Sequence, residues 1–159
     1  MAREGVGTLG SVWGAFLDTS ANPLAPPFSI RNAGRANFAR AAYSPHVSNG
    51  AGGVGGFLVT WTEPFVPGVY SQIVAYPNRV VGTAHLLSPQ YSLREIAYSP
   101  ASQRFLVAWE MSDAPNSALV GVVGIDAQAV GLPVVLANGN AGRPWIIWNS
   151  ITSGGTGFW

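Results

Sequence analysis

The chain has 159 residues, 48% of them apolar and only 9% charged, with 20 glycines, 12 prolines and no cysteine. Its formal net charge of +1 comes from eight arginines and seven acids, with no lysine; a general binder of nucleic-acid phosphates needs a basic face, which this balance excludes. The missing cysteine excludes disulfides, thiolate metal sites and a cysteine nucleophile, and apolar runs cut short by Gly and Pro point to an all-β protein rather than a helical bundle.

Along the chain, residues 1–7 lack the apolar core of a secretory signal. No run approaches the ~20 apolar residues of a membrane helix, so a soluble chain without a membrane span is expected. The first two predicted strands occupy residues 10–17 and 27–30, around a turn at Asn22-Pro23. Next comes Ala42-Tyr43-Ser44-Pro45, a Gly-rich stretch over 48–56, and the run Gly56-Phe57-Leu58-Val59-Thr60-Trp61. Apolar segments over 69–76 and 83–88 follow, with a turn expected at Gly82. The series then begins again with Ala97-Tyr98-Ser99-Pro100, Arg104-Phe105-Leu106-Val107-Ala108-Trp109, a segment over 118–125, a turn at Gly131, and Pro133-Val134-Val135-Leu136. A third, looser start is Ile147-Trp148-Asn149-Ser150, followed by Thr156-Gly157-Phe158-Trp159.

These segments form a repeat. The Tyr or Trp landmark and the closing Trp are 11 residues apart in the second and third copies and 18 in the first. The extra length falls in residues 48–56, the composition of a lengthened hairpin loop. The steps from Pro23 to Gly82 and from Gly82 to Gly131 are 59 and 49 residues, and from Gly131 through the C-terminus and round to Pro23 is 51. The half-repeats at the two ends therefore add to one unit of ordinary length.

Four short strands per unit of about 50 residues is the pattern of a propeller blade. The chain resembles bacterial β-propeller repeats of the form Tyr-x-Pro, a gap, Phe-Leu-Val-x-Trp, then a Gly-turned hairpin. The resemblance implies one unit over 1–159: a half-blade at 1–31, blades at 35–88 and 94–138, and a half-blade at 143–159. Three blades are too few to close a ring, so a homodimer exchanging its terminal half-blades into a six-bladed ring is expected, with two-fold symmetry. A fragment of a longer propeller is the alternative.

Candidate site residues are sparse. Asn32-Ala33-Gly34-Arg35 recurs as Asn140-Ala141-Gly142-Arg143, and Arg94 lies near the same repeat position. Strand one of a propeller blade lines the central channel, so Arg35, Arg94 and Arg143 are expected at one mouth of it, where guanidinium forks suit a small anion. Trp145 aligns with the polar positions Arg40 and Glu95, which makes these three a candidate ligand face. Trp61, Trp109 and Trp159 share one repeat position and read as core. His46 and His85 have no metal-ligand spacing, no nucleophile motif is present, and no cofactor is implied. Glu63 and Glu110 both follow a repeat Trp and read as near-equivalent. The expected function is a non-catalytic binding or interaction propeller, similar in architecture to short-chain six-bladed lectins and so a candidate for sugar or small-anion binding. A propeller hydrolase, either glycosidase or lactonase, is the alternative from a different class.

Overall fold

The computed structural model describes residues 10–31, 36–50, 52–63, 67–77, 79–89, 92–111 and 117–137, with the side chains of residues 92 and 94 excepted. These residues are all-β: ten strands and no helix among them. Strands β1 (Val12–Gly14) and β2 (Phe28–Arg31) form an antiparallel hairpin. Next, β3 (Asn37–Ser48), β4 (Val54–Glu63), β5 (Gly68–Ala75) and β6 (Arg79–Ser88) make a four-stranded antiparallel meander in sequence order. A second meander joins β7 (Ser92–Ser99), β8 (Arg104–Met111), β9 (Ser117–Val123) and β10 (Val134–Ala137). No helix among the described residues is long and apolar enough to cross a membrane.

The repeated sequence yields a repeated register. Tyr43 lies opposite Phe57 and Tyr98 opposite Phe105. Val59 faces Gln72 where Val107 faces Gly121, and Trp61 faces Tyr70 where Trp109 faces Leu119. The β-branched and aromatic runs of β4 and β8 suit such pleated, doubly covered strands. At Gly121 the absent side chain is needed, because a Cβ there would lie 2.5 Å from the Trp109 ring.

Three of the expected turns are placed differently. Gly82, at φ 73°, lies inside β6 within a register shift opposite Gln72, and the β5–β6 turn itself is at Tyr76-Pro77. Gly131, at φ 75°, likewise falls after the turn at Ile125-Asp126, where the Gly124 amide donates to the Gln128 carbonyl. A left-handed glycine serves a bulge as well as a turn, so composition alone does not separate them. Gln72 Nε2 donates to the freed Gly82 carbonyl at 2.9 Å. The turn expected at Asn22-Pro23 is centred instead on Thr19-Ser20, with the Asp18 carboxylate accepting from the Ser20 and Asn22 amides. The insertion in the first repeat does extend a hairpin: β3 and β4 stay paired to Ser48 and Val54.

The three sheets stack face to face. Alternation along a strand sends neighbouring residues to opposite faces. On the first meander, Leu58, Val69 and Ile73 turn one way and join Leu93, Phe105, Val107, Trp109 and Val123 of the second meander in one cluster. Val59, Trp61 and Val74 turn the other way and bury Val12 and Phe28 of the N-terminal hairpin. The second meander points its Phe105, Val107 and Trp109 face at the first, while Ala97, Leu106, Ala108 and Val120 form a separate, largely buried cluster on its opposite face. Between the meanders the first strands, β3 and β7, make the closest approach. Ser71 Oγ adds a hydrogen bond to the Ala127 carbonyl across the same junction, 2.7 Å long.

Phe105 is fully buried in this junction, so Phe105→Ala should lower stability by about 3–5 kcal/mol in urea unfolding. Leu132, 91% exposed, should tolerate replacement by Ser within about 0.5 kcal/mol.

Candidate functional site

The residues expected to carry function are distributed as follows. Arg35, Arg143 and Trp145 lie outside the described residues. Arg94 is inside β7 rather than ahead of it, at the register shift between Leu93 and Glu95. The first strand of the other meander has a matching irregularity between Asn37 and Arg40. Arg40 pairs with Thr60 and Glu95 with Ala108, so the two hold the same register position in their sheets. Arg40 is exposed and its guanidinium donates to the Ala39 carbonyl at 3.1 Å, whereas Glu95 is half-buried and its carboxylate accepts from the Ile96 amide.

The densest polar cluster among the described residues was not expected. It is centred on Glu63, which is buried at the end of β4. Arg31, from the end of β2, donates through Nε to Glu63 Oε1 at 2.7 Å and through a terminal nitrogen to Oε2 at 3.2 Å. Trp61 Nε1 donates to the same Oε1 at 2.9 Å. Trp61 and Glu63 are two residues apart on one strand and so share a face, and that spacing was the readable signal. Arg31 was not readable, because it comes from another sheet. The Tyr70 ring stacks on Trp61 at 6.0 Å. Burial, and after it the Glu63 charge, push the Tyr70 phenol above its usual pKa, while Arg31 opposes the shift.

Both oxygens of Glu63 are thus engaged, and the carboxylate works as a clamp between hairpin and sheet. The buried charge is acceptable because it is paired and hydrogen-bonded. The matching position in the second meander corrects the expected equivalence of the two glutamates. Counting from the shared Trp, Glu110 matches Thr62, and Met111 matches Glu63: Glu63 faces Gly68 and Met111 faces Ser117. With Met111 in place of a carboxylate, the buried Trp109 Nε1 has no hydrogen-bond partner among the described residues.

His46 and Tyr98 form a further polar contact between sheets, imidazole Nδ1 to phenol oxygen, at the β3–β7 approach. Among the described residues no group of three His, Asp or Glu side chains is arranged to hold a metal ion. Comparison with known proteins finds no matching family model, no matching curated protein and no matching solved structure.

The contrast between the two tryptophans gives a direct test. Trp61→Phe removes the donor from a buried carboxylate, whereas Trp109→Phe removes an indole N–H with no described partner. The loss of ring volume is common to both. Trp61→Phe should therefore be the more destabilising by about 1–3 kcal/mol, read as the difference between the two urea midpoints.

Proposed function

We propose that the chain is a half-ring of a β-propeller that closes with a second copy of itself and acts as a non-catalytic binding or interaction module. The observation that carries this reading is the stacking of two meanders of identical register, face on face, with their first strands closest together. That arrangement is what blades around a central axis require. The hairpin β1–β2 adds a further half-unit to the stack in the same sense. Pairing of two chains by exchange of terminal half-blades removes the two apolar end faces, which are an aggregation hazard when left open.

Binding is favoured over catalysis by how the polar groups are used. The buried carboxylate Glu63 is closed by Arg31 and Trp61, and His46 is tied to Tyr98. A ligand would then be held at the channel mouth by Arg35, Arg94 and Arg143, with Trp145, Arg40 and Glu95 on the adjoining face. Guanidinium groups suit a small anion or an acidic sugar.

Light scattering at micromolar concentration should give a mass of about 33 kDa, twice the chain mass of 16.6 kDa. A folded 16.6 kDa species under those conditions would overturn the half-ring. For the ligand, sulfate should raise the melting temperature of the wild-type protein, and the triple change of Arg35, Arg94 and Arg143 to Gln should abolish that rise while leaving the melting temperature in sulfate-free buffer nearly unchanged. An equal sulfate response in the triple variant would remove the anion site.

A further inference from the structure

The β5–β6 turn holds an arginine and a tyrosine in a setting that neither junction between sheets requires. Ala75 pairs with Arg79 across this turn, so Tyr76 and Arg79 flank it from its two sides. Arg79 has φ 62°, in the left-handed region that a residue with a side chain enters at a cost. Its guanidinium carbon lies 5.6 Å from the centre of the Phe28 ring. Phe28 stacks on Phe16 at 5.2 Å, and Phe16 meets the Tyr76 ring at 5.6 Å in a T-shaped contact. Arg79, Phe28, Phe16 and Tyr76 thus form a continuous ladder across the junction of hairpin and first meander.

Both ends of the ladder are open to solvent, with Tyr76 51% exposed and Arg79 exposed as well. Among the described residues, the Arg79 guanidinium and the Tyr76 hydroxyl make no hydrogen bond or ion pair. The one acid of the hairpin, Asp18, accepts from the Ser20 and Asn22 amides of its own turn. The one acid of the first meander, Glu63, is closed by Arg31 and Trp61. Both carboxylates are therefore engaged elsewhere. Asn49 donates to the Tyr76 carbonyl at 3.2 Å and so pins the turn from the β3–β4 side.

A cation over an aromatic ring is often packing and nothing more. Packing explains the stack on Phe28, but it does not explain the choice of residue. Glycine would take φ 62° without strain, and an apolar side chain would cover Phe28 equally well. What arginine adds is a fork of N–H donors. The Phe28 ring covers one face of the guanidinium and leaves that donor edge free, so part of the ordering cost of binding is met before a ligand arrives.

We infer that Arg79 and Tyr76 form a binding site for a carboxylate carried on a ring, such as an acidic sugar or an aromatic acid. The carboxylate takes paired N–H bonds from the guanidinium fork, and the ring body packs against Tyr76, whose hydroxyl can bond to a ring substituent. One guanidinium beside one aromatic matches a single negative charge on an apolar body. The site lies wholly within one chain, so it does not depend on closure with a second copy. It is also separate from the arginines assigned to the channel mouth.

Nuclear magnetic resonance of the nitrogen-15-labelled chain tests the site. The Arg79 Nε–Hε signal, assigned by its loss in Arg79→Gln, is followed while galacturonate, benzoate and galactose are added separately. At least one of the two acids should shift it in a saturable way, and neutral galactose should not. Saturation by galacturonate alone marks an acidic sugar as the ligand class, and saturation by benzoate alone an aromatic acid. Read from the Tyr76 backbone amide, Arg79→Gln should weaken binding at least about tenfold. Tyr76→Ala, read from the Arg79 signal, should weaken it about threefold to tenfold. Arg79→Gly, which suits the left-handed backbone, should melt close to the wild type yet lose the acid. No saturable shift with either acid, an equal shift with galactose, or unchanged binding in Arg79→Gln would overturn the site. A much lower melting temperature in Arg79→Gly would make Arg79 a packing residue and overturn it too. A response that vanishes when Arg35, Arg94 and Arg143 are changed to Gln, with Arg79 in place, would put the acid at the channel mouth instead.

Discussion

The middle strands of the first meander, β4 and β5, are covered on both faces, and that constraint organises the molecule. These strands must be apolar at successive positions rather than at alternate ones, which is why β4 reads as Phe-Leu-Val-Thr-Trp with little polar interruption. Leu58 and Val59 are neighbours in sequence but belong to different clusters, one shared with the second meander and one with the N-terminal hairpin. The two middle strands, β4 and β5, therefore turn little surface to solvent, while the flanking β3 and β6 carry exposed residues such as Tyr43 and Leu86.

Within that frame the two junctions are solved by different chemistry. Between hairpin and first meander, Arg31, Glu63 and Trp61 close a hydrogen-bonded ion pair. Between the meanders the corresponding carboxylate is replaced by Met111, and the junction relies on aromatic and aliphatic packing with the hydroxyl of Ser71 bridging to Ala127. A short hairpin of two strands buries less apolar surface than a four-stranded sheet, and a directional clamp compensates for the smaller area. A charge of this kind also fixes orientation, since the guanidinium meets both carboxylate oxygens at once.

Much of the all-β architecture was legible in the sequence because repeat spacing is read without knowing what touches what. The Tyr-Ser-Pro and Phe-Leu-Val-x-Trp segments pair as adjacent antiparallel strands in both meanders, in one register. What was misread shares a cause: residue type was weighed ahead of position. Gly82 and Gly131 signalled left-handed backbone, which bulge and turn share. Glu110 looked like the mate of Glu63 because both are acidic, although counting from the tryptophans assigns that place to Met111. The Arg31–Glu63 pair was out of reach for a deeper reason. Its partners are 32 residues apart and belong to different sheets, and no periodicity along a chain states which sheets will lie side by side.

The parity of the faces has one further consequence. Each meander turns its Phe-x-Val-x-Trp side toward the unit before it in sequence, and the first meander turns its Leu58 side toward the unit after it. The stack thus has a direction, like bricks with studs on one side and sockets on the other. Energetic coupling runs between adjacent units, as in a one-dimensional lattice. Duplication of a whole repeat in the gene would then create no new kind of contact, since the added unit arrives with a stud for one neighbour and a socket for the next. Loss of a partial repeat would break that match at two places together. Loops can lengthen freely, as residues 48–56 do, but the stacked sheets of a polypeptide built this way can be added only in whole steps.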